Sequence, residues 1–335
     1  MVSKIDSTTK IVCIGGGTGT YTVLSGLKKY TDQLSAIVSM ADTGGSARKE
    51  RDEFGLLPSS DIRKSLVALA DTSSEKENLL RELFQFRFDQ GVGLSGMAFG
   101  NLFLVALTKL LGSQVEAIKK AGQILRIKGR VIPVTLDKID LVAIYENGLK
   151  VVGEHFIDEP EHDGMLKVKK LTTIPKALAH DEAVLAIKEA DLIILGPGSF
   201  YTTLIANLVV KGIPEAICQS KGKKIFILNL MTEPGQTAGF TAMDHIRELQ
   251  KYILKRCLNY VLVNTSSLPR RILEKYTKTG AHSVIDDVRE GNYFKVVRGE
   301  FFSPREVKRG RGDNLKRSFI RHDGNKLARA IVNLL

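Results

Sequence analysis

Repeated loops rich in Gly, Ser, Thr and Asn are the stretches best suited to chemistry, because such loops bare backbone N–H groups to an anionic ligand. The first comprises Gly15, Gly16, Gly17, Thr18 and Gly19. It follows the apolar residues 10–14 and precedes a helix-permissive run to Tyr30, so the helix would point its positive end at a bound phosphate. The spacing G-x-G-x-G departs from the G-x-G-x-x-G dinucleotide fingerprint, which leaves a phosphate loop and an unliganded tight turn both open. Four more apolar runs end in the same manner. Residues 34–40 lead into Ala41, Asp42, Thr43, Gly44, Gly45 and Ser46, and residues 191–195 into Gly196, Pro197, Gly198 and Ser199. Residues 225–230 lead into Met231, Thr232, Glu233, Pro234 and Gly235, and residues 260–263 into Asn264, Thr265 and Ser266. The recurrence is more specific than any one loop.

Charged and amide side chains near these loops supply the remaining candidates. Asp42 suits a ribose hydroxyl or Mg²⁺, or equally an Asx turn. Pro58, Ser59 and Ser60 signal a helix start, which puts Asp61 and Arg63 in a first turn, as groups orienting a ligand or as a surface ion pair. Asn101 opens an apolar segment as a helix cap or as a ligand donor. His245 is read as a structural histidine before a general base. The acidic run DEPEHD at residues 158–163, near His155, is read as an exposed connection before a metal site. No Ser-His-Asp order, H-E-x-x-H or paired-carboxylate spacing demands a hydrolase.

Strand, polar loop and helix in repetition predict an α/β fold of Rossmann-like three-layer form, mainly parallel, with the ligand at the carboxyl ends of the strands. Asn147-Gly148 between apolar runs predicts a small antiparallel insertion near residues 139–174. Residues 75–88 form an amphipathic pattern with Leu79, Leu80, Leu83 and Phe84 as its expected buried face, and residues 102–111 are apolar enough to expect core on most sides. The closing helix, with Leu327, Ala328, Ile331 and Val332, is expected to dock on the core.

At 335 residues the chain can bury a large core, read as a polar tail over residues 1–9 and one domain over 10–335. No apolar run has the length of a membrane span and residues 1–9 lack a signal-peptide pattern, so a cytoplasmic protein is expected. Cys13, Cys218 and Cys257 are read as buried thiols, not as metal ligands or a disulfide. A net charge of +12 favours anionic partners. Residues 301–321 carry seven Lys or Arg against two acids; a solvated face ranks first there, a phosphate clamp second and nucleic-acid binding last.

On these motifs the chain resembles the CofD/YvcK family, in particular its bacterial branch, the gluconeogenesis factors that bind UDP-N-acetylglucosamine. The resemblance rests on GGGTG at residues 15–19, ADTGGSARKERDEFGLLPSSDIR at 41–63, GNL at 100–102, GPGSFYTT at 196–203 and NLMTEPGQTAGFTAMDHI at 229–246. It implies a nucleotide-diphosphate ligand, cradled by Gly15, Gly16, Gly17, Thr18 and Gly19 with Gly196, Gly198 and Ser199. Thr43, Gly44, Gly45, Asn101 and Thr232 would stand close by, Tyr260 and Asn264 near the base or sugar, and Arg298 at the diphosphate. The bacterial branch implies a regulator of carbon metabolism, cell-wall precursor supply and cell shape, with protein partners or a homo-oligomer. The archaeal relatives imply a Mg²⁺-dependent 2-phospho-L-lactate transferase, with Asp42 on the metal and Asp61 and Arg63 orienting the acceptor. The chain departs from the family pattern at Thr43, where a second acid is usual, and at Ser59 and Ser60, where PPGD is common. It departs again before Gly100, where a His is frequent, and at Gln236, where Glu is usual.

Overall fold

The computed structural model describes residues 5–253, 256–289, 293–304 and 318–335. The basic segment of residues 301–321 therefore lies largely outside the described residues. From the amino terminus the chain forms β1 (Ile11–Gly15), α1 (Gly17–Leu27), β2 (Leu34–Val38), α2 (Gly45–Phe54) and α3 (Ser60–Leu69). Next come α4 (Glu75–Gln85), α5 (Phe99–Leu111), α6 (Gln114–Ile124) and β3 (Arg130–Pro133). The insertion holds β4 (Asp140–Tyr145), β5 (Lys150–Val152), α7 (Glu154–Asp158) and β6 (Val168–Ile174). The second half begins with α8 (Asp181–Lys188) and β7 (Leu192–Leu195), then a π-helical turn Phe200–Ile205 that runs into α9 (Ala206–Leu208) and α10 (Ile213–Gln219). It ends with β8 (Lys223–Ile227), α11 (Ala242–Tyr252), β9 (Tyr260–Asn264), α12 (Arg270–Thr277), β10 (Lys295–Gly299), β11 (Phe302–Ser303), β12 (Arg321–His322) and α13 (Gly324–Val332).

Seven strands make one parallel sheet in the order β10-β9-β8-β7-β1-β2-β3. Ile14 on β1 aligns with Ile37 of β2 on one side and with Leu195 of β7 on the other. The chain steps outward from β1 through β2 to β3, then returns beside β1 and steps the other way. This reversal between β1 and β7 is a switch point, where successive loops diverge and leave a crevice at the strand carboxyl ends.

Alternation along β1 explains why helices cover both faces. Val12 and Ile14 belong to one buried cluster, with Phe200, Phe226 and Ile246, whereas Ile11 and Cys13 belong to another, with Leu24, Leu66 and Ile331. A strand buried on both faces needs a continuous apolar run, and IVCIG and LIIL supply it. The three-layer α/β architecture read from the sequence is the one observed. On one face, α13 packs against α1 so closely that a methyl on Gly26 would stand 2.1 Å from the carbonyl oxygen of Gly324. The antiparallel insertion also forms, with Gly148 at φ 87° in the β4–β5 turn and β6 adding a third strand.

Three local expectations are corrected. On α4 only Phe84 is buried, while Leu79 and Leu83 are exposed, because α4 meets the core along one narrow edge. The far end of α5 also emerges from the core, with Leu110 79% exposed. Cys218 and Cys257 form a disulfide, their α-carbons 5.5 Å apart. The end of α10 and the segment entering β9 converge there, a meeting of residues 39 apart that periodicity does not reveal. Cys13 is the buried thiol expected, its pKa pushed up to about 12 by burial.

Candidate functional site

Loops after β1, β2, β7 and β8 line one cleft of about 280 Å³ at the switch point. Three helices begin there. Gly17, Thr18 and Gly19 open α1, Gly44 and Ser46 flank the start of α2, and Ser60 and Asp61 open α3. Their N-cap residues Gly16, Gly44 and Ser59 supply no side-chain cap to the first turn, so that set of N–H groups lacks its usual local partner. Three positive helix ends on one cleft favour an anion.

The two glycine loops are fitted to each other. A methyl on Gly19 would stand 2.2 Å from the carbonyl oxygen of Pro197, and one on Gly16 would stand 2.1 Å from Asp61 Oδ2. Gly17 has φ +60°, with nothing within 4 Å of where a side chain would begin, so the loop is open at that point. Asn229 Nδ2 donates to the Gly198 carbonyl at 2.9 Å, and Asn207 Nδ2 to that of Gly15 at 3.1 Å, so both loops are tied from below.

Cations and acids divide the lining. Arg63, Lys64, Arg87 and Arg321 carry the positive charge. Arg63 is buried, with Nε donating to Asn101 Oδ1 at 2.6 Å and Nη1 to the Phe84 carbonyl at 3.2 Å. Lys64 pairs with Asp61 at 2.9 Å. The acids are Asp42, Asp61, Glu154, Asp158, Glu159 and Glu233. Burial raises the carboxyl of Asp42, with Lys64 opposing and Asp61 adding to the rise. Glu154 is raised well above the carboxylate range by burial, then by the like charges of Asp42, Asp158 and Asp61. Burial likewise raises Asp158, against bonds from Thr202, Ser199 and Gln236.

The implied Mg²⁺ would need only one or two protein carboxylates beside a ligand's phosphates, and Asp42 and Asp61 both line the cleft. Among the described residues no three His, Cys, Asp or Glu side chains are gathered so as to hold a metal ion. Asp42 Oδ1 accepts the Gly44 N–H at 2.9 Å, the Asx turn its position also allowed.

Most of the expected site residues meet here. Gly17, Thr18, Gly19, Asp42, Gly44, Asp61, Arg63, Gly198, Ser199 and Thr232 line the cleft, with Gly15, Gly16, Gly45 and Gly196 adjoining them in the chain. Thr43 braces the wall instead, its hydroxyl accepting the His155 N–H at 3.0 Å. Asn101 lies behind Arg63. Three expected residues stand outside the cleft lining. Tyr260 is the first residue of β9, so parallel pairing puts it at the opposite sheet edge. Arg298 Nε and Nη2 engage Asp286 at 2.6 and 3.1 Å, away from the lining. Asn264 Oδ1 accepts from the N–H groups of Phe301 and Phe302 at 2.9 and 3.0 Å, which braces β11 rather than the cleft. His245 is fully buried between Phe200 and Phe240; its Nδ1 meets the Thr241 carbonyl at 2.8 Å, while its buried Nε2 has no hydrogen-bond partner among the described residues.

Glu154, His155, Asp158 and Glu159 line the cleft without being expected there from the sequence. They come from α7 and its end, so the start of the run read as an exposed connection turns into the cleft. Asp158 Oδ1 accepts from Ser199 Oγ and Thr202 Oγ1, each at 3.3 Å, and from Gln236 Nε2 at 3.1 Å. No local pattern marks such residues, because only the packing of the insertion brings them there.

The sequence profile of the family described as 2-phospho-L-lactate transferase CofD matches residues 11–302. A relative from Thermotoga maritima is 42% identical over 97% of this chain and 99% of its own length. The Bacillus subtilis protein described as a gluconeogenesis factor is 37% identical over 97% of this chain and 98% of its own. A crystal structure of a Bacillus halodurans protein superposes with a TM-score of 0.85 at 34% identity, covering 97% of this chain and 99% of the other. Among the described residues no helix is long and apolar enough to cross a membrane. By profile, by relatives along nearly its whole length and by architecture, the chain belongs to the CofD family.

Proposed function

We propose that the cleft binds a nucleotide diphosphate sugar, UDP-N-acetylglucosamine in particular, and that the protein is a cytoplasmic regulator linking carbon metabolism to cell-wall precursor supply and cell shape. The observation that carries this reading is the convergence of three helix starts, each without a side-chain cap, and two interlocked glycine loops on one cleft floored by Arg63. Backbone N–H groups at Gly17 to Gly19 and at Gly198 and Ser199 would take the diphosphate, with Arg63 and Lys64 supplying charge. The acids of the lining suit the hydroxyl-rich sugar, since carboxylates accept from hydroxyl donors. Relatives described as gluconeogenesis factors favour the regulatory assignment. Calorimetric titration with UDP-N-acetylglucosamine, UDP and GDP tests it, and a preference for the UDP-sugar that survives chelation is the expected result.

A second reading is a Mg²⁺-dependent phospho-group transferase of the 2-phospho-L-lactate type acting on a nucleotide diphosphate donor. It is favoured by the family description and by Asp42, Asp61 and Arg63 lining one cleft. Turnover that is abolished by Asp42→Asn would support it; turnover that survives both that change and chelation would exclude it.

A further inference from the structure

Behind the cleft floor, Arg63 is joined to a buried carboxylate through a single amide. Glu50 on α2 is 1% exposed, Asn101 on α5 is fully buried and Arg63 on α3 is 6% exposed. Asn101 Oδ1 accepts from Arg63 Nε, and its Nδ2 donates to Glu50 Oε1 and to Ser60 Oγ, the latter at 3.3 Å. The second oxygen, Glu50 Oε2, accepts the Ser59 N–H at 2.9 Å, at the start of the helix that carries Arg63. Room for the guanidinium stem is left by Gly100, where a methyl would stand 2.8 Å from Arg63 Cδ.

An asparagine amide can turn either end to either neighbour, and its neighbours decide which. Above about pH 7 Glu50 is a carboxylate and only accepts, so it draws the NH₂ group toward itself and leaves the oxygen for Arg63. The inverted amide would set a donor against the guanidinium, which only donates. Arg63 is held by a positional chain whose polarity starts at Glu50, and the same carboxylate fixes the backbone at Ser59.

We infer that Glu50 is a positioning residue that acts through Asn101 to orient Arg63 on the cleft floor for a ligand's phosphate groups. The inference rests on the nucleotide-diphosphate reading for its consequence in binding, but the Glu50–Asn101–Arg63 chain exists without a ligand. Glu50 touches no ligand and is no catalytic residue. Loss of its charge alone would strengthen the binding of an anion, whereas loss of its positioning weakens it, so the two roles predict opposite signs.

Two measurements test this on the full chain. The first is the Nε–H resonance of Arg63 in the unliganded protein, assigned by its loss in Arg63→Lys. It is expected as a slowly exchanging signal in the wild type and in Glu50→Gln, which keeps one acceptor. In Glu50→Leu it is expected to shift or broaden. The second is a cycle of UDP affinities. Glu50→Leu should bind UDP about tenfold more weakly than Glu50→Gln, the scale of one hydrogen bond to a charged group, and the two should become equal in an Arg63→Ala background. An unchanged Nε–H signal in Glu50→Leu, or the same difference in both backgrounds, overturns the proposal. If Glu50→Leu does not fold, Glu50→Ala takes its place: loss of slow exchange there supports the proposal and its retention overturns it. If the wild type binds no UDP, the nucleotide reading fails while the resonance still decides the positional chain.

Discussion

The α-carbon of Gly19 is set against the carbonyl of Pro197, at a distance that leaves a methyl group only 2.2 Å from the oxygen. Gly19 follows β1 and Pro197 follows β7, so this contact joins the two loops on either side of the switch point. Gly19→Ala should therefore separate the loops. The expected result is a loss of about 1–3 kcal/mol of stability in urea unfolding, together with weaker nucleotide binding. Unchanged stability and unchanged binding would mean that the loops do not cooperate.

Arg63 binds its surroundings as a fork, through Nε to Asn101 and Nη1 to the Phe84 carbonyl. An ammonium has no such geometry. Arg63→Lys should lose about as much affinity for UDP as Arg63→Ala, roughly tenfold or more, when both are titrated by calorimetry. Full retention by the lysine variant would reduce Arg63 to a point charge.

Two buried groups should bend the pH profile of stability in opposite directions. Burial lowers His245 from 6.5 to about 4, so between those values the unfolded chain holds a proton that the folded chain does not. Stability is lost as pH falls through that window. Glu50 is raised by burial from 4.5 to about 7, against bonds from Ser59 and Asn101. Here the folded chain holds the extra proton, so stability declines as pH rises from 4.5 to about 7 and is level above. Each effect is at most about 3 kcal/mol. The two windows overlap, so their slopes offset each other in the wild type between pH 4.5 and 6.5. Urea unfolding of His245→Phe should show stability falling as pH rises through that range, and Glu50→Gln stability rising, whereas profiles unchanged from the wild type would assign the pH dependence to other groups.

The disulfide between Cys218 and Cys257 closes a long loop, which shrinks the unfolded ensemble. Reductant should lower the unfolding midpoint of the wild type, by the equivalent of about 2–4 kcal/mol, and should leave Cys218→Ser unaffected. A midpoint insensitive to reductant would show that the bond adds no stability.

The floor of the site is legible in the sequence because parallel strands buried on both faces must be apolar throughout, and their ends must turn in polar, glycine-rich loops. Gly17, Asp42, Gly198 and Thr232 are recognisable that way. Tyr260 is not, because a residue that begins a parallel strand lies at the far edge from one that ends it, whatever its side chain could do. Asp158 and Glu154 have no such signature. Their place depends on how an antiparallel insertion packs against the main sheet, and an acidic surface loop has the same composition. On α4 the helical period marks a stripe correctly at Phe84, but period alone does not say whether a neighbour covers Leu79.

The most direct test is calorimetric titration of the protein with UDP-N-acetylglucosamine, with UDP and GDP as controls and with EDTA present or absent. Saturable binding that prefers the UDP-sugar and tolerates EDTA is the expected result. No heat of binding with any of the three, or binding confined to a guanine nucleotide and dependent on Mg²⁺, would contradict it.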